Sequence, residues 1–515
     1  MNFKNFAELR DFIRRYNSTS VLEVGTRKCW EIWETEYSNA ENWVYGNTQR
    51  NYAVRLMLLA SGGNPHRSKK INTQEFNNLI SAYHNWNGHT ISDRRILDEE
   101  AEAVFNFIQI WESDKDNQKT VRNWSLRLSE ILDLALIRKY VADLFLQRLV
   151  AFQNAGFGHA FSRIKRTLQL IELLDKNSCE QISDEFFNST KLSPINYFRQ
   201  FIACLAIFGF FCHLKGFCNF YQLPDIDINL SELGINPEKL EIFVKQNSAP
   251  FRLPTDRSFR SKVNQSLNNV SGFYQPFFYN QFLETPFIDL GNREFCLPDP
   301  FSFTESCWNQ VRDLFLKEKN NKERGKGFSD LFEGYLENVL FPWICPNCFQ
   351  KIPQVKNPVN SKDKRADFLI TLPSSYIVLE CKNSIMSPDT SGYFHPNKLA
   401  ELWCRIHSAF EQIAATVKAL NLYDKPVIPV IMTFYDSIAS SSVFEEMIRE
   451  TDYCSHLGLN MPPIVHSLHQ FEHWLSDRSF NNWAELVLQK HNISSPVKPD
   501  NKGHNYEHLN DVSIF

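Results

Sequence analysis

Residues Ala366 to Lys382 read ADFLITLPSSYIVLECK. Asp367 to Thr371 and Tyr376 to Lys382 are rich in β-branched, aromatic and leucine residues, as strands are, and the Leu-Pro-Ser-Ser between them is a turn signal. An antiparallel hairpin folded about Pro373–Ser374 follows. In that register Asp367 stands opposite Glu380, and Arg365 opposite Lys382. Directly opposed residues bring their Cβ atoms to about 5 Å, where like charges repel. Side chains alternate along a strand, so Glu380 and Lys382 share one face while Leu379 and Cys381 point the other way. Two carboxylates and a lysine thus end an otherwise apolar hairpin, and the repulsion calls for a compensating charge. A divalent cation with hard oxygen ligands supplies it, Mg²⁺ first, because that ion is content with one or two carboxylates plus water.

The flanks extend the pattern. Phe328, Leu331, Phe332, Tyr335, Leu336, Val339 and Leu340 fall at the spacing of an amphipathic helix. Glu333 borders its apolar stripe beside Leu336 and Leu340, whereas Glu337 points away. After the hairpin come a helix, Leu399 to Leu420, and a buried-strand run, Val427 to Phe434.

Asp, a gap of a dozen residues, then Glu-x-Lys on a strand resembles the signature of the PD-(D/E)XK, or restriction-endonuclease-like, nuclease superfamily. The matching residues are Ala366-Asp367 and Glu380-Cys381-Lys382, with Glu333 matching the family's helix glutamate. The helix, strands, helix, strand order also agrees. The resemblance covers the last third of the chain and does not extend to the first 300 residues. It implies an α/β core, a central mixed sheet flanked by helices. It also implies a Mg²⁺-dependent deoxyribonuclease, with Mn²⁺ able to substitute. Asp367, Glu380 and the backbone carbonyl of Cys381 would hold the ion, and Glu333 would complete the shell or bind a second one. Lys382 would stabilise the transition state. Two positions depart from the pattern: Ala366 stands where the name has proline, and Thr416 stands where a RecB-like branch has an aromatic residue one turn after a glutamine, here Gln412.

The chain has 515 residues, long enough for several domains, and its 43% hydrophobic and 22% charged content is ordinary for a globular protein. A formal net charge of −4 excludes a protein that coats nucleic acid by overall charge, so any DNA contact must come from local clusters. Twelve scattered cysteines lack the spacing of a disulfide scaffold, and Met1 to Tyr16 mixes acids and bases where a signal segment would be apolar. A reduced, cytoplasmic setting is the expectation. The apolar run Phe201 to Cys212 is shorter than the roughly 20 residues a spanning helix needs, so a buried core helix is expected, without a membrane.

Four units are expected: a mainly helical region at 1–225, a connector or small α+β subdomain at 226–320, the nuclease-like domain at 321–490 and a polar tail at 491–515. The first has helical patterns at Phe6 to Tyr16, Ala101 to Trp111, a long Leu126 to Phe152 and Phe161 to Leu174. Arg163, Lys165 and Arg166 there read as a solvated face. In the second, Phe287 to Leu290 and Glu294 to Leu297 form a hairpin through Gly291-Asn292, and the aromatics from Phe273 to Phe282 read as core.

Near the hairpin, Lys362, Lys364 and Arg365 are candidate phosphate contacts, as are Arg324 and Lys326 in the polar run Lys317 to Lys326. Cys345-Pro-Asn-Cys348 has zinc-ligand spacing but no second pair, and reads as a turn. His84 to His89 looks like an HNH motif without its context and reads as a loop. The functional expectation is a DNA endonuclease similar to prokaryotic restriction and anti-phage defence effectors. The alternative is a non-cleaving subunit of the same fold that binds DNA or recruits a partner protein or NTPase through its N-terminal helices. Homo-oligomers are compatible with either.

Overall fold

The computed structural model describes residues 3–35, 40–63, 67–91, 93–122, 124–139, 141, 164–170, 172–173, 187–188, 190–212, 214–222, 235–251, 259–268, 280–304, 306, 330–353, 365–382, 396–433, 452–468, 471–472 and 480–491. Helices dominate the first part. In α1 (Phe6–Ile13), Asn5 caps the start by accepting the Glu8 N–H at 2.9 Å, and Phe6, Leu9 and Ile13 are buried. Helices α2 (Ser18–Thr35) and α3 (Ala40–Ser61) pack along each other. Gly25 permits that approach, since a Cβ there would meet Met57 Cγ at 2.4 Å. Helix α4 (Thr73–Ile91) opens on a reciprocal box in which Asn72 and Glu75 each accept the other's N–H. It contains the His84–His89 stretch, which is helix and not loop, because Phe76, Leu79, Ile80 and Tyr83 bury one face continuously up to it. Helix α5 (Arg94–Ser113) follows.

Two further expectations change here. The long helix expected from Leu126 is broken: a turn of helix at Leu128–Ile131 stops at extended Leu132, and Asp133 caps a new helix by accepting the Leu136 N–H at 2.7 Å. Arg166 is buried instead of solvated, paired with Glu472. Helix α6 (Pro194–Ala206) runs into a π-helical turn at Ile207–Phe211; Phe201, Leu205 and Phe208 of the apolar run are core, as expected, while Phe210 is exposed. Among the described residues no helix is long and apolar enough to cross a membrane.

Two small mixed sheets follow. The first has the order β1 (Phe217–Asn219), β4 (Glu294–Cys296), β3 (Phe287–Gly291), β2 (Ser248–Pro250), with α7 (Pro237–Gln246) against β2 and β3, while α8 (Phe259–Asn268) packs on α3. The β3–β4 hairpin turns at Asn292 and Arg293, both at positive φ, as a tight two-residue hairpin loop demands. The second sheet runs β5 (Phe349–Lys351), β6 (Phe368–Thr371), β7 (Tyr376–Lys382), β8 (Val427–Thr433), β9 (Ile464–Ser467). β5, β6 and β7 are antiparallel neighbours; β7, β8 and β9 are parallel.

Period-two alternation divides this sheet between two cores. Leu369, Val378 and Ile431 join a core with α1 to α5 and with α10 (Pro396–Leu420), whose Trp403, Ile406, Phe410 and Ile413 are buried in it. Phe368, Ile370, Ile377, Leu379 and Val430 face the opposite core, with Leu331, Phe332, Tyr335 and Leu336 of α9 (330–344, with a π-helical turn at Leu336–Leu340). Helix α11 (Phe480–Lys490) closes the described chain on that second side. Helix α10 therefore lies between the sheet and α5.

Candidate active site

The hairpin register is Phe368 against Leu379, Leu369 against Val378 and Ile370 against Ile377. Just before β6, Asp367 donates its N–H to Leu379 O at 3.0 Å, one residue off that register, and its carboxylate lies near that of Glu380. Alternation from Leu369 and Val378 puts Asp367, Glu380 and Lys382 on the α10 face of the sheet, at the carboxyl end of β7. In open α/β sheets the carboxyl ends of parallel strands are where ligands bind.

Asp367 Oδ2 accepts the Cys381 N–H at 2.7 Å, and among the described residues no hydrogen bond engages Oδ1. Burial, then the neighbouring Glu380 carboxylate, drives the Asp367 pKa up from 3.8 to about 7 against the pull of the Cys381 N–H and of Lys382 and Lys351. Glu380 is buried and its Oε1 is bound by the Lys382 ammonium. Lys382 also donates to Gln412 Oε1 of α10 at 2.7 Å. One turn on, Thr416 Oγ1 accepts the Ala366 N–H at 2.7 Å and donates to Gln412 O at 2.8 Å. Thr416 thus ties α10 to Ala366, the residue just before Asp367. Arg365, the one described member of its basic cluster, donates to Ala415 O at 3.2 Å. Lys362, Lys364, Arg324 and Lys326 lie outside the described residues, as do the aromatics from Phe273 to Tyr279, Phe434 and the tail.

Glu333 comes from the other side. Its helix packs on the face that carries Phe368, and Lys351 of β5 binds Glu333 at 3.2 Å and Glu337 at 3.1 Å. Glu333 is still close enough for Asp367 to raise its pKa, after the larger effect of burial. Among the described residues no three His, Cys, Asp or Glu side chains converge as a metal-holding group, so Glu333 does not join Asp367 and Glu380 in one cluster. Lys351 was missed in the sequence: it sits on a three-residue strand with no alternation to reveal it. Cys345 and Cys348 form the expected turn, between α9 and β5, with the Cys348 N–H donated to Cys345 O at 3.2 Å.

No family model matches the chain, and comparisons with curated proteins and with solved structures give no match.

Proposed function

We propose that the chain is a metal-dependent DNA endonuclease of the restriction-endonuclease-like class, hydrolysing phosphodiester bonds at the end of β7. The observation that carries this reading is the buried pair Asp367 and Glu380, two carboxylates held close together beside a lysine that Gln412 orients. The donor set fits Mg²⁺: two carboxylates and the Cys381 carbonyl are hard oxygens, and this ion needs only one or two carboxylates beside water and phosphate. When bound, Mg²⁺ or Mn²⁺ would polarise the phosphoryl group and acidify an attacking water.

The remaining roles belong to the chain itself. The Cys381 N–H fixes the rotamer of Asp367, and the β7 alternation holds Glu380 and Lys382 on the same face. Lys382 presents an ammonium where negative charge would develop on the phosphate, preorganised by Gln412. Glu333, paired with Lys351 across the sheet edge, would border the site instead of ligating beside Asp367. A role in prokaryotic restriction or anti-phage defence, in the cytoplasm, is an extension by analogy with effectors of this fold.

Cleavage of plasmid and single-stranded DNA with Mg²⁺ or Mn²⁺, wild type against Lys382→Ala, tests the reading. Metal-dependent cutting abolished by the substitution is the expected result. Equal cutting by both proteins would overturn the site. No cutting by either, with metal binding that Asp367→Ala abolishes, would favour the non-cleaving subunit of the same fold.

A further inference from the structure

The N-terminal helices and α8 carry a cluster of cations that forms no ion pair among the described residues. Its pivot is Arg14, just past α1. Its guanidinium donates to two neutral acceptors, Leu59 O at 3.2 Å and Asn264 Oδ1 of α8 at 2.8 Å, and packs against Gly62 and Gly63. On one side Asn17 gathers the loop after α3, donating its side-chain N–H to Arg67 O at 3.0 Å and its backbone N–H to Lys69 O at 2.6 Å. Lys69 lies 4.2 Å above the Tyr16 ring and donates to its hydroxyl at 3.0 Å. Burial, then Arg10 and, more weakly, Arg260 at the start of α8 on the other side depress the Arg14 pKa, while Asp11 opposes them. Arg15, Arg67, Lys69, Lys70 and Arg260 are exposed.

The nearby acids Asp11 and Glu75 act on Arg14 and Lys69 through space without reaching ion-pair distance of them. Asp11 pairs with Arg10 at 3.0 Å, Glu8 accepts the Lys4 N–H at 2.8 Å, and Glu75 closes the box that starts α4. Among the described residues no carboxylate lies within ion-pair distance of Arg14, Arg15, Arg67, Lys69, Lys70 or Arg260. In a chain of net charge −4, three separate segments therefore bring together exposed cations that lack an ion-pair partner among the described residues.

We infer that this patch, at the end of α1, the 67–70 loop and the start of α8, binds the phosphate backbone of duplex nucleic acid. The inference rests on the nucleic-acid part of the function proposed above. Phosphate is the ligand that arginine and lysine on a rigid frame neutralise with release of counterions. A membrane surface would also attract them, but stable attachment adds buried apolar area, and among the described residues no large apolar side chain of this patch is exposed.

Fluorescence anisotropy with a labelled random-sequence DNA duplex tests the patch, using the full chain carrying Lys382→Ala, without divalent metal, so that binding is read apart from cutting. Charge reversal at Arg15→Glu, Lys69→Glu and Lys70→Glu together should weaken binding about tenfold or more. It should also make the slope of log Kd against log salt shallower by roughly 2 to 3, close to one unit for each phosphate that is no longer neutralised. Arg67→Glu with Arg260→Glu, on other elements, should act the same way and stands in if the triple variant fails to fold by circular dichroism. An equal loss on duplex RNA supports the same phosphate chemistry. Unchanged DNA affinity in a folded variant overturns the inference, and so does a loss confined to phosphatidylserine vesicles. If the wild type binds through the patch but cuts nothing, the nuclease reading fails and the patch stands.

Discussion

Glu411 and Asp367 are both carboxylates sunk beside α10, and the fold treats them in opposite ways. Glu411 is met by donors on every side: the Ser125 N–H at 2.8 Å, the Ser125 hydroxyl at 3.1 Å and the Tyr453 hydroxyl. Its neighbour His407 faces Leu126 O at 3.0 Å, with the Trp124 ring 4.3 Å away and the Tyr453 hydroxyl 3.3 Å away. This cluster fastens α10 to the segment after α5. Asp367 faces another carboxylate instead, and its pKa climbs to about 7. A saturated buried polar network holds structure together, whereas an unresolved one marks where something else is meant to bind. Successive residues, Glu411 and Gln412, serve these two sides of one helix.

The largest expected effect comes from removing the unresolved charge. Asp367→Asn should cut metal-dependent cleavage by about a thousandfold, the several kcal/mol of metal-borne stabilisation converted at about 1.4 kcal/mol per decade. The same change should raise the thermal midpoint in a metal chelator. The folded carboxyl keeps its proton up to about pH 7 and the unfolded one releases it near 3.8, so its cost to folding is absent below about pH 4, grows between about pH 4 and 7, and levels off above 7. The gain should appear at pH 8 and vanish near pH 4; a loss of stability at pH 8 would break the comparison.

Glu411→Ala should do the reverse, destabilising by about 3 kcal/mol in urea because the Ser125 N–H and the Tyr453 hydroxyl lose their acceptor. A comparable effect should appear on acidification. Burial lowers the His407 pKa to about 4, so the unfolded chain takes up the proton first and stability falls as pH drops from 6.5 towards 4. The fall should reach on the order of 3 kcal/mol and flatten in His407→Gln. The smallest effect belongs to Gln412→Ala. It should slow cleavage about tenfold while shifting stability by less than about 1 kcal/mol, since it releases one half-exposed hydrogen bond to Lys382. A stability loss as large as that of Glu411→Ala would place Gln412 with the structural network.

The hairpin was legible because its signals are local. A period of two, a Pro-Ser turn and charges at the strand ends specify register without reference to the rest of the chain. The β3–β4 hairpin and the α6 core helix were legible for the same reason. The break at Asp133 was not, since Leu, Ile and Val continue across it and only the cap distinguishes one helix from two. The burial of Arg166 was hidden because its partners, Glu472 and Tyr335, are remote in sequence: Arg166 is bound by Glu472, and the Tyr335 hydroxyl donates to Glu472 at 2.7 Å.

By itself the sequence determined which side chains share a strand face, and so the juxtaposition of Asp367, Glu380 and Lys382, because backbone geometry sets that alternation. Only the tertiary structure decided what covers each face of the second sheet. Helix α10 and the N-terminal helices took the side of the carboxylates, and α9 took the other, which carried Glu333 away to Lys351. Apolar stripes state that a face must be buried but not against which partner. That choice depends on shape and charge summed over residues hundreds of positions apart.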